Sequence, residues 1–275
     1  MQVVILASNK DVASLNIKSN LLGLAAWEEY AIIDGNKCFR LQTKRHDLRL
    51  VTIDKQLIHA ESLDKQIPAD RYVFVSKHSS AQRVPALTVH APGNFGVAEF
   101  GGYDKTVAIA NASLIKNALR CLRENAKGVS YEVAQEATHH GPLMAKPSMF
   151  MEVGSDETGW NNPQAGRIVA ASLLQALDMP DCQKTAVGIG GPHYTTNFRD
   201  AQLHSDLAIG HVCSKYYLED LDEELLQQAM QRSSPPAQMV LLDWKGLGSH
   251  KARIVSLLKR MGIQYAKTSM YKQKF

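Results

Sequence analysis

Short apolar runs alternate with longer amphipathic segments along the whole chain. Residues 2–7 form a continuous apolar run that is typical of a buried strand, and Asn9 to Leu22 has the polar start and the spacing of a helix. The same reading predicts further strands at residues 38–41, 48–53, 72–76, 87–90, 129–138, 148–153, 184–189, 207–212 and 238–243. It predicts further helices at residues 104–126, 163–177, 219–232 and 248–261.

The clearest helix is predicted from Asp104 to Ala126, where apolar residues recur at alternating steps of three and four and so share one stripe. Strands separated by helices of this length predict an α/β fold, with helices on both faces of a central mixed sheet. We expect one three-layer α/β/α domain spanning residues 1–275, with residues 35–70 as a candidate peripheral insertion.

Composition is that of an ordinary globular protein. Of the 275 residues, 45% are hydrophobic and 21% are charged, which is enough apolar material for a sizeable core. The chain contains no apolar run of about 20 residues that could cross a bilayer, so no membrane association is expected. Its first residues lack a basic leader, and we expect a cytoplasmic protein.

The positive charge is concentrated at the C-terminal end. From Trp244 onward there are eight basic residues and no acidic one, whereas the net charge of the whole chain is only +4. Such a face suggests contact with a polyanion, although a solvated helix face with a frayed tail fits equally well. The candidate nucleic-acid contacts are Lys245, Lys251, Arg253, Lys259 and Arg260, and Lys272 and Lys274 extend the basic tail.

Histidines fall repeatedly where predicted strands end. Six of the ten lie at strand ends or in the adjoining turns: His78, His90, His139, His140, His193 and His211. A single histidine at such a place is usually a hydrogen-bonded structural residue. Six of them indicate a shared cleft, because strand ends at one edge of a sheet converge in space.

Glu152 is the best candidate for a catalytic carboxylate. It lies between Met151 and Val153 in an apolar strand, where burial would penalise its charge unless a cation or a metal were near. Strand alternation could instead point it outward to solvent. Together with the paired histidines, it favours a site that activates water, with or without a metal ion.

Two glycine-rich turns offer backbone donors. The turns at residues 92–96 and 190–192 could direct N–H groups at a developing oxyanion or a phosphate, although tight-turn geometry alone also explains the glycines. The sequence lacks a nucleophile elbow, an H-E-x-x-H helix, a P-loop and a C-x-x-C pair. Its four cysteines are dispersed, and the apolar surroundings of Cys121 and Cys213 predict buried free thiols.

Four sequence blocks, taken together, resemble the archaeal and plant type of D-aminoacyl-tRNA deacylase. They are His90-Ala-Pro-Gly-Asn-Phe-Gly96, Ala137-Thr-His-His-Gly-Pro142, Glu152-Val-Gly-Ser155 through Trp160, and Gly188-Ile-Gly-Gly-Pro-His-Tyr194. The resemblance implies hydrolysis of the ester between a D-amino acid and the 3′ end of tRNA. It also implies zinc, and a fold like that of nucleoside phosphorylases and peptidyl-tRNA hydrolases.

The matching blocks carry the candidate site residues. The resemblance implies catalytic roles for His139, His140, Glu152 and His193, of which His140, Glu152 and His193 are also the candidate zinc ligands. The substrate-binding candidates are His78, His90, Asn94, Phe95, Gly96, Gly190 and Gly191. The partner expected is the acceptor end of D-aminoacyl-tRNA, bound by a monomer or a weak homo-oligomer.

Two other functions remain open from the residues alone. The same cleft could serve a zinc-dependent peptidase or amidohydrolase acting on small substrates. The basic C-terminal face could belong to a non-catalytic RNA-binding protein, in which case the histidines and Glu152 would have no part in function.

Overall fold

The structure is a computed structural model and describes residues 1–271, so Lys272 and Lys274 of the basic tail lie outside the described residues. The helices are α1 (Val12–Leu24), α2 (Leu63–Gln66), α3 (Ala112–Asn125), α4 (Glu157–Trp160), α5 (Pro163–Asp178), α6 (Thr196–Leu203), α7 (Glu223–Gln231) and α8 (Lys251–Arg260). The first strands are β1 (Gln2–Ser8), β2 (Glu28–Ile33), β3 (Asn36–Gln42), β4 (Asp47–Ile53), β5 (Arg71–Lys77), β6 (Ala86–His90) and β7 (Gly93–Asn94). The remaining strands are β8 (Thr106–Val107), β9 (Glu132–Gln135), β10 (Ser148–Gly154), β11 (Lys184–Ile189), β12 (Leu207–Cys213), β13 (Met239–Leu242) and β14 (Tyr265–Lys267).

The main sheet is mixed and has eight strands in the order β2-β3-β4-β1-β5-β10-β6-β9. Its centre is parallel, because β1 pairs with β4 and β5 in the same direction and β10 pairs in the same direction with β5. Strand β6 runs antiparallel to β10, and β3 runs antiparallel to β2 and β4. The predicted α/β class with a central mixed sheet is confirmed.

The last strands form a second sheet, which is parallel and ordered β12-β11-β13-β14. Backbone hydrogen bonds join it to the segment that follows β9. The N–H of Ala137 donates to the carbonyl of His193 at 2.9 Å, and the N–H of Thr138 donates to that of Val212 at 3.0 Å. The residues just after β9 therefore lie at the junction of the two sheets.

Helices cover both sheets. The largest core packs α1, α3 and α5 against one face of the main sheet. A second core packs α7 and α8 against the other sheet, whose opposite face receives Phe198 and Ala201 of α6. Because β3 and β4 belong to the main sheet, residues 35–70 contribute two of its strands. The division of the chain stays a prediction, namely one domain spanning residues 1–275.

The helix predicted from Asp104 begins eight residues later. Asn111 caps it, accepting a hydrogen bond from the N–H of Leu114 at 3.3 Å. The preceding Thr106 and Val107 pair instead with Gly93 and Asn94, which removes them from the helix. Strand β9 is likewise shorter than predicted, and β2, α6 and β14 were not predicted.

Sheet register places the first site residues together. His90 lies opposite Phe150, and Thr88 lies opposite Glu152, so all four side chains share one face of the β6–β10 pair. On the other neighbouring strand, β5, Ser76 lies opposite Glu152, and His78 follows two residues later. His90 and Glu152 therefore lie close together although β6 runs antiparallel to β10.

Candidate active site

Five of the six strand-end histidines cluster, as the sequence predicted. The ring of His139 lies 4.1 Å from that of His90, 4.4 Å from that of His140 and 4.6 Å from that of His193, centroid to centroid. His78 joins the group through the two carboxylates described below. Phe150 supports the cluster from the sheet, with its ring stacked on His90 at 5.0 Å.

Glu152 points inward to the cluster and not to solvent, with only 2% of its surface exposed. Its Oε2 lies 3.7 Å from Nδ1 of His78 and 3.7 Å from Nε2 of His90, and the hydroxyl of Thr88 donates to it at 3.4 Å. Burial alone would raise the pKa of Glu152. The two imidazoles outweigh burial and hold this pKa far below its ordinary value.

Glu136 is a second buried carboxylate, to which the sequence reading gave no role. Its Oε1 lies 2.8 Å from Nδ1 of His78, and its Oε2 lies 3.6 Å from Nε2 of His139 and 3.7 Å from Nε2 of His193. Contacts with His193 and His78 outweigh the opposing effect of burial and hold the pKa of Glu136 well below its ordinary value. Its position three residues before His139, at the end of a strand, is the signal that could have identified it.

His78 bridges the two carboxylates. Burial disfavours its charge, but Glu136 and Glu152 outweigh this effect and raise the pKa of His78 to about 10. The protonated ring directs Nδ1–H at Glu136, and its Nε2–H donates to the hydroxyl of Tyr194 at 2.6 Å. Tyr194 is a further residue of the site that the sequence reading left without a role.

The pKa values of His139 and His140 are shifted in the opposite direction to that of His78. Burial and the neighbouring imidazole of His90 lower the pKa of His139 well below its ordinary value and that of His140 to about 4. His140 adopts a positive φ of 46°, held by the Gly93 N–H, which donates to its carbonyl at 2.6 Å. Its Nδ1–H donates to the carbonyl of Gly141, also at 2.6 Å.

The sixth histidine, His211, lies outside the cluster and has a structural role. Its ring is fully buried, with Nε2 at 3.0 Å from the carbonyl of Ala108 and 3.1 Å from that of Arg232, and Nδ1 at 3.1 Å from the hydroxyl of Thr138. Burial lowers its pKa to about 4. The reading of His211 as part of the cleft was therefore wrong, because both ring nitrogens are used within the fold.

The two glycine-rich turns offer fewer free backbone N–H groups than predicted. The N–H of Gly190 donates to the carbonyl of Cys213 at 2.8 Å, and the N–H of Gly93 donates to the carbonyl of His140. Neither N–H is therefore free for an oxyanion. Gly191 packs against Asp243, and a Cβ there would lie 3.0 Å from its Oδ2. Asn94 donates its side-chain amide to the carbonyl of Gly101 at 3.0 Å, which shapes the loop after β7.

Two cavities meet at the histidines. The polar cavity, of about 450 Å³, is lined by His78, Glu152 and charged or hydroxyl side chains that include Lys10, Asp11 and Lys77. The aromatic cavity, of about 270 Å³, is lined by Asn94, Phe95, Gly96, Tyr216 and Tyr217 among others. Both cavities share Phe100, His139, His140 and His193.

The donor atoms of the cluster suit a metal ion. Three groups have donor atoms within 4.8 Å of one another: His90 with His139 and His140, Glu136 with His139 and His193, and His78 with Glu136 and Glu152. The ligands predicted from the sequence, His140, Glu152 and His193, fall one in each group and form no group of their own. Oε2 of Glu136 and Nε2 of His90 are buried without a hydrogen-bond partner among the described residues, so they fit the role of ligands.

The predicted nucleic-acid contacts differ in availability. Lys245 is exposed, while Lys251 lies over the ring of Trp244 at 5.7 Å. Arg253 donates to the backbone carbonyls of Leu218 and Leu221, and Arg260 pairs with Glu223 at 3.1 Å. The loop carrying Trp244 and Lys245 packs against the turn that leads to His193, because a Cβ at Gly246 would lie 2.2 Å from the nitrogen of Gly191.

A buried cluster of imidazoles and carboxylates, on an α/β scaffold and open to two cavities, defines a candidate hydrolase site. The family model described as D-aminoacyl-tRNA deacylase matches residues 65–266, and the chain belongs to this family. The D-aminoacyl-tRNA deacylase of Pyrococcus furiosus is 35% identical over 273 residues, which cover 96% of this chain and 99% of that protein. That of Methanosarcina acetivorans is 35% identical and covers 100% of this chain and 95% of its own length.

A solved structure supports the same fold. The crystal structure of a conserved protein of unknown function superposes with a TM-score of 0.89 at 31% identity. The match covers 100% of this chain and 98% of that one. The two chains therefore share their architecture from end to end.

Proposed function

We propose that this protein hydrolyses the ester bond between a D-amino acid and the 3′ end of tRNA, and so returns free tRNA to translation. Family membership and the buried histidine and carboxylate cluster support this proposal together. The single observation that carries the chemistry is Glu136, a fully buried carboxylate whose oxygens face three imidazoles. As tRNA is used in the cytoplasm, we infer that the protein acts there.

The site has the parts that ester hydrolysis requires. An aminoacyl ester is already activated, so positioned water and stabilisation of the developing negative charge suffice without a protein nucleophile. His139 and His193 keep 26% and 43% of their side chains exposed and line both cavities, so their rings are accessible to water, substrate or a metal ion there. Oε2 of Glu136 faces Nε2 of both imidazoles, at 3.6 Å from His139 and 3.7 Å from His193.

His78 and Glu152 complete the arrangement. The protonated ring of His78 provides positive charge beside the polar cavity, and the two carboxylates keep that ring in place. Glu152 and Asp11 place carboxylate oxygens in the same cavity, which Lys10 and Lys77 also line, and these oxygens are the proposed acceptors for the ammonium group of an aminoacyl ester.

We also propose that the site binds zinc through Glu136, His139 and His193. Imidazole nitrogens and carboxylate oxygens are the donors that zinc prefers in hydrolases, and Oε2 of Glu136 lacks a hydrogen bond among the described residues. When bound, zinc supplies positive charge that favours deprotonation of water and polarises an ester carbonyl. The ligand set named from the sequence shares only His193 with this group.

The basic loop beside the site is the proposed contact for the acceptor stem. Lys245 belongs to the loop that packs against the turn leading to His193, and Lys251, the first residue of α8, lies over Trp244 of that loop. Phosphate contacts by such lysines position RNA without reading its sequence. Whether the protein acts as a monomer or a weak homo-oligomer stays a prediction.

The test is a deacylation assay that resolves chirality. Purified protein is incubated with D-tyrosyl-tRNA and, separately, with L-tyrosyl-tRNA, and the released amino acid is measured over time. We expect release of the D-residue and no release of the L-residue above the uncatalysed rate. Equal hydrolysis of the two substrates, or hydrolysis of neither, would contradict the proposal.

A further inference from the structure

The aromatic cavity differs in chemistry from the polar cavity on the other side of the histidines. Tyr216 and Phe100 are 65% and 61% exposed, although both are large apolar side chains at the mouth of a charged site. Tyr217 and the buried Phe95 continue the same wall inward. Rings exposed in this way around a cavity mark a surface that binds another flat or apolar group.

The wall is built on anchored loops. The ring of Tyr217 lies directly on the backbone of Gly96, where a Cβ would come within 2.8 Å of two of its carbons. The N–H of Lys105 donates to the carbonyl of Gly96 at 2.8 Å, which closes the loop after β7. On the other side, the N–H of Lys215 donates to the carbonyl of Gly191 at 2.8 Å. The rings therefore stand on supported backbone beside His193.

The substrate of the proposed reaction has two unlike parts, which are an amino acid with an ammonium group and a nucleoside with a flat base. The polar cavity offers the carboxylates of Asp11 and Glu152, which suit the ammonium group. The aromatic cavity offers rings for stacking, and Glu99 also lines it. Lys215 lies outside this lining and places its Nζ over the ring of Tyr216, 5.1 Å from the centroid. Unpaired bases of RNA are bound by this combination of an aromatic face and a nearby cation for the backbone.

We propose that the aromatic cavity binds the terminal adenosine of the aminoacyl-tRNA, with its base against Tyr216 and Phe100. This inference rests on the proposed function and assigns the two halves of the substrate to the two cavities. The ester then lies between them, at His139, His140 and His193, which are common to both. Lys215 is the proposed contact for the phosphate that precedes this adenosine.

The test compares Tyr216→Ala with Tyr216→Phe, which keeps the ring and removes only the hydroxyl. Because Tyr216 is exposed, neither change should alter the melting temperature. We expect Tyr216→Ala to raise KM for D-tyrosyl-tRNA roughly tenfold with little change in kcat, and Tyr216→Phe to behave like wild type. Tyr30→Ala is the matched control, since Tyr30 is also an exposed tyrosine with a cation over its ring, on the edge strand β2.

Direct binding of adenosine, measured by calorimetry, gives a readout independent of turnover. Wild type and Tyr216→Phe should bind adenosine, and Tyr216→Ala should bind it at least several-fold more weakly. Unchanged adenosine binding and unchanged KM in Tyr216→Ala would overturn the inference while leaving the proposed function intact. A changed preference between D-tyrosyl-tRNA and D-alanyl-tRNA, without loss of adenosine binding, would assign the cavity to the amino-acid side chain and also overturn it. Adenosine binding by a wild-type protein that deacylates neither tRNA would instead contradict only the proposed function.

Discussion

Nδ1 of His78 lies 2.8 Å from Oε1 of Glu136, and both side chains are almost completely buried. His78 directly follows β5 and Glu136 directly follows β9, and these two strands are not neighbours, since β10 and β6 lie between them. A charged pair in such surroundings is stable only where further polar groups contact it. Glu152 lies 3.7 Å from His78, and His139 and His193 lie 3.6 and 3.7 Å from Glu136. The pair therefore links the segment after β5 to the segment after β9 within the site.

The first prediction concerns the charge of Glu136. Glu136→Gln keeps the size of the side chain and removes the negative charge that faces three imidazoles. We expect kcat/KM for D-tyrosyl-tRNA to fall by roughly 100-fold or more, because correctly placed proton transfer contributes about that much. Single-turnover deacylation measures the effect. Glu132→Gln on the same strand is the control, and a loss of less than threefold in Glu136→Gln would remove Glu136 from the mechanism.

The second prediction concerns zinc. Elemental analysis of protein purified without chelators should find zinc, and dialysis against a chelator should remove it together with the deacylase activity. Because a metal that binds only the folded state stabilises that state, the melting temperature should fall on removal and recover when zinc is added back.

Variants connect the zinc prediction to its ligands. Glu136→Ala and His193→Ala should each lower the zinc content of the purified protein, whereas His204→Ala, which changes an exposed histidine, should not. Full turnover by protein that contains no metal would refute the zinc proposal and leave the imidazoles and carboxylates as the only catalytic groups.

The third prediction separates basic residues that meet tRNA from those that hold the fold. Lys245→Ala and Lys251→Ala should each weaken tRNA binding and reduce the slope of log affinity against log salt by about one, as expected for a lost phosphate contact. Lys184→Ala, at the start of β11 and paired with Asp206, is the control. Arg253→Ala should instead lower the free energy of unfolding, because its guanidinium binds backbone carbonyls. An unchanged salt slope in both lysine variants would exclude Lys245 and Lys251 from the tRNA contact.

The part of the site that the sequence could predict follows from strand ends. His78, His90, and the pair His139 and His140 lie at or after the ends of apolar runs, and the order and directions of the strands bring these positions together. The inward direction of Glu152 is fixed by sheet register, which apolar flanking residues alone could not decide.

Other features depend on contacts that leave no local pattern. Glu136 gains its role only because the segment after β9 bridges the two sheets, and that bridge is made by backbone hydrogen bonds. His211 looked like the other strand-end histidines, yet the carbonyls of Ala108 and Arg232 occupy its ring. Helix α3 was predicted too long because the apolar spacing extends back to Ala108, four residues before the helix begins, and Thr106 and Val107 pair with the strand Gly93–Asn94.

The last prediction uses His211 to separate stability from catalysis. Its pKa is about 4 in the folded protein and 6.5 in an unfolded chain, so at pH values between these the unfolded state binds a proton that the folded state does not. Stability from this residue is complete above pH 6.5 and is lost as the pH falls from 6.5 to 4. A difference of this size corresponds to roughly 3 kcal/mol at pH 4.

His211→Gln removes this titration. We expect the variant to be less stable than wild type at pH 7, because the ring bonds to Ala108 and Arg232 are lost, but to lose less stability on acidification. Urea unfolding at pH 7.5, 6 and 5 measures both effects, with His204→Gln as the surface control. Because His211 lies outside the histidine cluster, the folded fraction of the variant should keep kcat within a few-fold of wild type. Parallel stability curves for His211→Gln and wild type would show that this ring does not titrate as its burial requires.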